Sequence, residues 1–548
     1  MSDKEIIKKY YTKLENFDPN LKITNKNEKI TNKNELHLVL DNPFKLTELG
    51  KFLRNEFNLR LLTIICYDEK KLKHGFTLRY LFGSDIDDFF LFVIFFIDEN
   101  HPYFPSIYKV FPSAVLYERE IKDMFGLSAQ DGPIYKPLIL HDFPNNVFPL
   151  RKDFELNTKV ESNLKQFEFT PVMGEGVCEI PVGPIHAGII EPGHFRFSVI
   201  GEKIINLETH LGYTHKGIEK LAENMPINDV VFLVERISGD ESVANSLAFC
   251  QAIEKIAELK IPQRAEQIRL VFAELERIYN HFGTLAGITN DVGFSYGASR
   301  LNILKEYMMQ LNETLSGSRI LFGINQIGGV KTNITDKMLT DIHSILEDVF
   351  LKFEKVLDLL KSNSSVIDRL RDTGVVEKQT VRDLGLVGIS SKCVGIETDV
   401  RQIHPYGYYP SLNLKQKTLR EIMEHRIELQ KRRGDVLSRF MSRVEELRHS
   451  KNIIDTITTL QDDDLSIPIS NKYEFTPYSS GLGYTESHRG ETLHWIMIGE
   501  HNSIFRYKIR TASFSNWPII EQAALNNIVA DFPVINKSFD FSYSGNDL

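Results

Sequence analysis

The chain has 548 residues, of which 42% are hydrophobic and 25% are charged. Its 65 basic and 74 acidic residues give a net charge of −9, which argues against a nucleic-acid-binding protein, since such proteins usually carry a basic excess. The ordinary hydrophobic fraction argues against global disorder. The 4 cysteines stand singly and the N-terminal residues have no apolar signal core, so we expect a cytosolic protein.

The first part of the chain predicts a polar N-terminal extension, residues 1–35, followed by a compact α+β domain, residues 36–155. The extension contains the hexamer ITNKNE twice, which favours a surface loop over a site. In the domain, HLVL, LRLLTIICYD, FTLRYLFG and FFLFVIFFI predict strands, and residues 44–55 and 115–124 predict helices. The run FFLFVIFFI is too short to cross a bilayer as a helix, so any membrane role is expected to come through a partner.

Residues 156–173 are polar and irregular and are predicted to form a linker. Residues 174–548 predict a mainly helical bundle with small β-rich segments at its start and end. Apolar residues at three- and four-residue steps predict one buried helix face: Ile268, Phe272, Leu275, Tyr279 and Phe282. Residues 341–361 and 414–449 show similar periodicity.

The common catalytic motifs do not explain the chain. It has no GxGxxG turn, no HExxH and no GxSxG, and no two cysteines stand in CxxC spacing. Four histidines are clustered: His186, His194, His210 and His215. His210 and His215 are five residues apart, a poor spacing for a shared helix face, which favours capping and hydrogen-bonding roles over metal binding. Residue patterns alone therefore indicate a two-domain protein of unknown chemistry.

A family resemblance goes further. LYEREIKDMFGL at residues 116–127 and FPLRKDF at 148–154 are similar to the signature of the thirty-kilodalton subunit of respiratory complex I. The second domain resembles the forty-nine-kilodalton subunit and, more closely, the large subunit of formate hydrogenlyase and hydrogenase-4. The stretches that carry this resemblance are VGPIH, EPGHFR, HKGIEKL, PQRAEQIR, IGGV, DVRQIHPY, HRGE and SNWP, in this order along the chain.

In this family the large subunit holds a nickel–iron centre through two CxxC pairs, whose soft thiolates suit these metals. The matching positions here are Ser238 and Glu241 for the first pair, and Ser542 and Gly545 for the second. With all four thiolates replaced, the resemblance implies a variant without hydrogenase activity and without a bound metal. A harder metal held with the help of Asp540 is disfavoured against a hydrogen-bonded polar pocket.

The complex I resemblance implies a pocket that receives a quinone headgroup between a tyrosine and a histidine. Gly239 stands at the tyrosine position, and Pro192 or an inserted neighbour stands at the histidine position. The motif therefore does not indicate a quinone. It leaves His186, Asp240 and Arg489 as the side chains through which a quinone would bind.

Four residues receive roles from the resemblance to hydrogenases. On the residues alone, Glu219 is a helix-surface glutamate paired with Lys216 or Lys220. The resemblance matches it to the glutamate that passes protons to and from the metal in hydrogenases, and leaves both interpretations open. Arg489 matches the arginine that covers the active-site pocket. Arg236 precedes the first lost pair, and Arg401 is expected beside the pocket. Glu219, Arg489 and Arg236 are thus the expected catalytic residues.

The resemblance implies a cytoplasmic subunit of a membrane-associated complex I-like assembly, held peripherally on the inner face of the membrane. This chain is expected to hold no cofactor. An iron–sulfur cluster is expected in a partner small subunit, with a ferredoxin-like subunit and integral membrane subunits as further partners. The expected function is electron transfer to a quinone-like or other acceptor, coupled to ion translocation. The alternative is a non-catalytic structural or coupling scaffold of such a complex.

Overall fold

The computed structural model describes residues 3–23, 34–133, 136–162, 169–187, 190–412, 414, 432–467 and 473–548. The predicted fold class, an α+β domain followed by a mainly helical bundle with small β-rich segments, is confirmed. Across these described residues, every helix is either too short or too polar to span a bilayer.

The first domain contains a five-stranded sheet with the order β1-β2-β5-β4-β3, in which β2 and β5 are parallel and the other neighbours are antiparallel. The strands are β1 (Lys22–Ile23), β2 (Glu35–Val39), β3 (Arg60–Asp68), β4 (Gly75–Gly83), β5 (Phe90–Asp98) and the separate parallel pair β6 (Tyr103–Pro105) and β7 (Ser128–Gln130). The helices are α1 (Asp3–Phe17), α2 (Leu46–Phe57), α3 (Lys70–Lys73) and α4 (Ala114–Phe125).

The central strand β5 is buried on both faces. Leu91 and Val93 pack in the core of the first domain, whereas Phe90 and Phe92 pack in the core of the second. Because successive side chains of a strand point to opposite faces, this arrangement requires an unbroken apolar run. It explains the sequence FFLFVIFFI and joins the two domains through one sheet.

The N-terminal extension is not only polar. Its first residues form α1, whose side chains Ile6, Tyr10 and Leu14 are buried in the core of the first domain. The ring of Tyr10 stacks on Phe89 with the centroids 3.8 Å apart. The apolar residues recur at four-residue steps, so the helix face is visible in a segment whose composition otherwise suggests a loop. Most of the duplicated hexamer lies outside the described residues.

The second domain is a bundle around one long buried helix. Its helices are α5 (Ile218–Ala222), α6 (Ile227–Val234), α7 (Ser242–Ile256), α8 (Gln263–Asp291), α9 (Ser295–Ser316), α10 (Asp336–Ser362), α11 (Ser364–Leu370), α12 (Lys378–Asp383), α13 (Ile389–Lys392), α14 (Val400–Ile403), α15 (Val436–Asp455), α16 (Ala512–Asn516), α17 (Ile519–Ala523), α18 (Phe532–Phe539) and α19 (Tyr543–Asp547). The predicted face of α8 is buried along its whole length.

Small sheets flank the bundle. The strands β8 (Val177–Val182), β9 (His194–Ile200) and β10 (Lys203–His210) form one antiparallel sheet, and β13 (Ser480–Glu486), β14 (Glu491–Ile498) and β15 (Ile504–Arg510) form another. A hairpin of β11 (Asn325–Gln326) and β12 (Gly329–Val330) lies between α9 and α10. The predicted linker has no helix or strand in residues 156–162 and 169–173. Of the predicted helix 414–449, residues 415–431 lie outside the described residues, residues 432–435 are not helical, and α15 begins at Val436.

Candidate functional site

The two segments that the resemblance selected meet in space. Ser238 and Glu241 lie in the turn between α6 and α7, and Ser542 caps α19 by accepting a hydrogen bond from the Gly545 N–H at 2.9 Å. Ser238 Oγ and Ser542 Oγ lie 3.0 Å apart. A Cβ atom placed on Gly545 would lie 3.8 Å from Glu241 Oε2. All four positions expected for thiolates therefore surround one small volume.

Arg489 lies in the middle of this cluster. It occupies the tight turn between β13 and β14, where Gly490 has a φ of 135° and a Cβ would lie 2.8 Å from Gly388 Cα. The turn directs the guanidinium at Asp240, with Nη1–Oδ1 and Nη2–Oδ2 distances of 3.0 and 2.7 Å. Arg489 Nη1 is also 3.1 Å from Glu241 Oε2. One cation thus bridges two neighbouring carboxylates.

A third carboxylate, Asp540, closes the cluster. Its backbone oxygen accepts a hydrogen bond from Arg489 Nε. Its side chain receives Lys537 Nζ at 2.6 Å and Thr284 Oγ1 at 2.5 Å. His488 is buried between the acids, with Nε2 at 3.9 Å from Asp540 Oδ2, too far for a direct hydrogen bond. We call Ser238, Asp240, Glu241, His488, Arg489, Asp540 and Ser542 the polar pocket.

Charges in the polar pocket move the pKa values of the neighbouring Asp240 and Glu241 in opposite directions. Burial alone would raise the pKa of Asp240, but Arg489 outweighs burial and holds this pKa well below its usual range. Burial raises the pKa of Glu241, and the adjacent Asp240 carboxylate adds to that effect. The Asp240 side chain is 37% exposed, whereas those of Glu241 and Arg489 are buried. The pocket therefore presents an ionised carboxylate toward its open side.

Two of the predicted arginines lie outside the polar pocket. Arg236 lies just after the end of α6 and is 57% exposed, and its guanidinium lies over the ring of Phe322, 5.1 Å from the centroid. Arg401 is completely buried, because it compensates acids in the interior of the bundle, among them Glu274 at 3.1 Å. Of the three arginines expected at or beside the pocket, Arg489 alone lies in it.

His186 lies beside the pocket rather than in it. Its Nε2 is 2.7 Å from the backbone oxygen of Gly193, and this contact links two residues of the loop between β8 and β9. The same loop touches α19, because Glu191 Oε2 accepts hydrogen bonds from the N–H groups of Tyr543 and Ser544 at 3.2 Å. His186 therefore supports a loop that packs next to the pocket.

Glu219 is neither a surface residue nor paired with the neighbouring lysines. It is buried at the start of α5, with Oε2 at 2.6 Å from Arg506 Nη1 and Oε1 at 3.6 Å from Lys508 Nζ. Burial alone would raise its pKa, but Arg506 and Lys508 together lower it. Lys508 also contacts Glu120 of the first domain at 2.5 Å. Glu219 thus belongs to an ion-pair cluster at the domain boundary.

The partners of Glu219 were not identified from the sequence, although a signal was present. The strand IFRYKIR places Arg506, Lys508 and Arg510 at alternate positions, and therefore on one face of β15. Basic residues on one face of a strand that is apolar on the other need acidic or carbonyl partners when buried. Arg506 and Arg510 meet such partners on β3, the backbone oxygens of Cys66 and Leu62.

The donor set of the pocket does not fit a nickel–iron centre. The four positions offer two hydroxyls, one carboxylate and no side chain at Gly545, and Arg489 places a cation among them. Nickel and iron in redox sites prefer thiolates, and a guanidinium beside the ligands opposes a bound cation. The described residues also contain no group of three or more His, Cys, Asp or Glu side chains arranged to hold a metal ion.

Known protein families match parts of both domains. Residues 41–160 match the family described as the respiratory-chain NADH dehydrogenase 30 Kd subunit. Residues 291–477 and 469–547 match the 49 Kd subunit of the same enzyme. Among solved structures, a chain of the membrane-bound sulfane sulfur reductase, an archaeal respiratory membrane complex, shares the fold, with a TM-score of 0.61 over 69% of this chain and 100% of that chain, at 24% identity.

The similarity to curated relatives extends over both domains. Formate hydrogenlyase subunit 5 of Escherichia coli is 30% identical, over 92% of this chain and 87% of its own length. Hydrogenase-4 component G of the same organism is 31% identical, over 88% and 82%. An NADH-quinone oxidoreductase protein of Phocaeicola vulgatus is 25% identical, over 86% and 94%. The chain therefore belongs to the family of fused complex I 30 Kd and 49 Kd-like subunits that includes formate hydrogenlyase subunit 5 and hydrogenase-4 component G.

Proposed function

We propose that this chain is a subunit of a membrane-associated, complex I-like oxidoreductase that has no nickel–iron hydrogenase activity. In this proposal the assembly transfers electrons to a quinone-like or other small acceptor and couples the transfer to ion translocation. Its partners are a small subunit with an iron–sulfur cluster, a ferredoxin-like subunit and integral membrane subunits. The chain lies on the cytoplasmic face of the membrane.

The observation that carries the proposal is the position of Arg489. At the place where relatives of this family would hold a metal, its guanidinium lies between Asp240 and Glu241 at distances of about 3 Å. A charge-paired site of this kind binds and orients polar molecules and moves protons, but it has no soft ligand for a redox metal. The chemistry of the pocket is therefore that of acids and bases.

The open side of the pocket supports the catalytic form of the proposal. Asp240 is partly exposed, and the neighbouring Gly239 is exposed as well. A small acceptor that arrives here meets an ionised carboxylate backed by Arg489. When an acceptor gains electrons it also needs protons, and Glu241, whose pKa is raised by burial, is placed next to that carboxylate to exchange them.

The hydrogen bonds that Arg489 already makes within the protein support a second candidate, the coupling scaffold. Its Nε, Nη1 and Nη2 atoms all donate to protein acceptors, on Asp240 and Asp540. A guanidinium that is already satisfied gains little from a substrate carbonyl. In this version the pocket holds the fold together, and the chain transmits movement or charge between its partners.

The two candidates are separated by Asp240→Asn in the intact complex, isolated from native membranes by a tag on this chain. The catalytic form predicts that electron transfer to a quinone falls at least tenfold while all partner subunits remain bound. The scaffold predicts wild-type electron transfer, or loss of subunits. Asp229→Asn, at an exposed position of α6, is the matched control. One nickel per chain together with H₂ turnover in the wild type would contradict both forms.

A further inference from the structure

A second group of charges is enclosed within the bundle, away from the polar pocket. Its members come from α8, from α13, from α14 and its N-cap, from α15 and from the end of β13. All of them are buried. We call it the interior charge network, and its members are Glu274, Arg277, Lys392, Asp399, Arg401, Glu446 and Glu486.

The interior charge network contains more acids than bases. Four carboxyl groups face three cations, so full ionisation would leave one uncompensated negative charge in the bundle. An uncompensated buried charge costs several kcal/mol, and a buried acid avoids this cost by keeping its proton. The charge balance therefore predicts one neutral carboxyl group at neutral pH.

Three of the four acids have close cationic partners. Glu274 receives Arg401 at 3.1 Å and Arg277 at 3.2 Å. Asp399 receives Arg401 at 2.6 Å and Lys392 at 2.9 Å. The third acid, Glu446, receives the same two cations at 2.8 and 2.5 Å. Each of these carboxylates is held ionised by two positive charges.

Glu486 is the exception. The nearest Lys or Arg nitrogen among the described residues is Lys392 Nζ, 3.7 Å from Oε1, and Oε2 accepts one hydrogen bond from the Val400 N–H at 3.2 Å. Burial, and after it the Asp399 carboxylate, raise the pKa of Glu486 to about 8. The proton that the charge balance requires is therefore placed on Glu486.

Other titratable groups that face the network do not supply a further charge. Burial lowers the pKa of His449 on α15, so this imidazole is neutral at neutral pH. Burial raises the pKa of Tyr406 and Tyr409, which remain phenols. Arg443, one turn before Glu446, donates to the backbone oxygens of Ser538 and Phe539, and its charge interacts more strongly with Asp540 of the polar pocket than with Glu446.

The network is joined to the polar pocket by a short piece of backbone. Arg277 donates hydrogen bonds to the backbone oxygens of Glu486 and Ser487, the two residues that begin the turn carrying Arg489. A new negative charge on Glu486 would attract Arg277 and Lys392, and so act on the turn that positions Arg489. The geometry thus connects the protonation state of Glu486 with the position of Arg489 in the polar pocket.

We propose that Glu486 holds an exchangeable proton at neutral pH, and that its ionisation shifts the interior charge network and the Arg489 turn. The location of the proton does not depend on the function proposed above. Its use in coupling electron transfer to ion movement rests on that function.

Infrared difference spectroscopy of the purified complex tests the proton directly. Other buried acids contribute carbonyl-stretch bands of their own, among them Glu276, whose pKa burial raises to about 8. At pH 7 the carbonyl-stretch region of protonated carboxyl groups should contain one band that is present in the wild type and absent from Glu486→Gln. This band should disappear as the pH is raised through about 8. Glu500→Gln, at an exposed position, should leave the band unchanged. A carbonyl-stretch region that is identical in the wild type and in Glu486→Gln would overturn the assignment.

A second variant tests the charge balance without touching Glu486. In Glu446→Gln, three carboxyl groups face three cations, and Lys392 loses its closest partner. Glu486 should then ionise, and the band should vanish at pH 7 although the residue is present. A band that remains would contradict the balance. The spectra need no turnover, so absence of electron transfer would count against the proposed function alone.

Discussion

Ser238 and Ser542 are separated by 304 residues in the chain, yet their hydroxyl oxygens form a hydrogen bond of 3.0 Å. This contact places the turn after α6 directly against the N-terminus of α19. It supports the positions that the resemblance assigned to the two lost cysteine pairs, because both pairs would have to meet at one metal.

The contact predicts a disulfide. In the double variant Ser238→Cys and Ser542→Cys, side-chain atoms at this separation are compatible with an S–S bond after a small adjustment. Mild oxidation should therefore remove two thiols per chain, as counted with a thiol reagent after denaturation. The single variant Ser238→Cys should not lose thiols within one chain. If both introduced cysteines of the double variant are still counted as free thiols after oxidation, the placement of the two residues is contradicted.

The bridge formed by Arg489 should be important for stability. Arg489→Met leaves Asp240 and Glu241 close together without their cation, and breaking a buried pair of this kind costs about 3–5 kcal/mol. Arg236→Met is the matched control, because this arginine is exposed and should change the stability by less than about 0.5 kcal/mol. Urea denaturation of both variants measures the difference. Equal midpoints would show that the bridge contributes nothing.

Glu219 should matter both for stability and for coupling. Glu219→Gln removes the buried charge that compensates Arg506 and Lys508, which should cost about 3 kcal/mol. If Glu219 also carries protons, the variant should uncouple ion movement from electron transfer in the complex. Glu208→Gln, a partly buried acid paired with Lys136, serves as the control. Wild-type coupling in a folded Glu219→Gln complex would remove the relay role.

The two domains should stay together when the chain is cut. A protease site inserted between residues 161 and 162 separates them covalently, but the inner face of β5 and the Lys508–Glu120 pair at 2.5 Å still join them. The fragments should co-elute in size-exclusion chromatography. The combined change Lys508→Met and Arg506→Met should favour dissociation, because Glu120 and Glu219 are left unpaired. Separate elution of the unmodified fragments would show that the interface is weak.

Much of the fold was accessible from the sequence. Long apolar runs and three- and four-residue periodicity predict β3, β4, β5 and α8, because these elements bury whole faces. Short elements such as α13 and α14 are determined by the contacts around them and leave no such pattern.

The candidate site was accessible only in part. The stretches that resemble the family located Ser238 and Ser542, because residues that are adjacent in the chain are also close in space. The directions of Arg236 and Arg401 could not be predicted, because they depend on which distant acids the fold brings near. The partners of Glu219 come from β15, almost 300 residues away. The alternating basic residues of β15 indicate that buried partners are needed, but no local pattern shows which distant segment supplies them.

The stability of the protein should depend on pH with opposite signs in two ranges. Burial alone would raise the pKa of Glu274, but Arg401 and Arg277 outweigh it and lower this pKa to about 2. Between about pH 2 and 4.5 the unfolded chain therefore binds the extra proton, so this contribution grows as the pH rises and is complete above about 4.5. Glu486 behaves in the opposite way, because its pKa in the folded protein is about 8.

Between about pH 4.5 and 8 the folded chain holds a proton on Glu486 that the unfolded chain has lost. Stability should therefore fall as the pH rises in this range, by up to about 1.4 kcal/mol per pH unit from this group. Glu486→Gln should reduce the slope between pH 5 and 8, to which Glu276 also contributes, without changing the acid limb. Glu274→Gln should weaken the acid limb. Unfolding free energies from urea titrations at pH 3 to 8 measure both limbs, and an unchanged slope in Glu486→Gln would show that this carboxyl group is ionised in the folded protein.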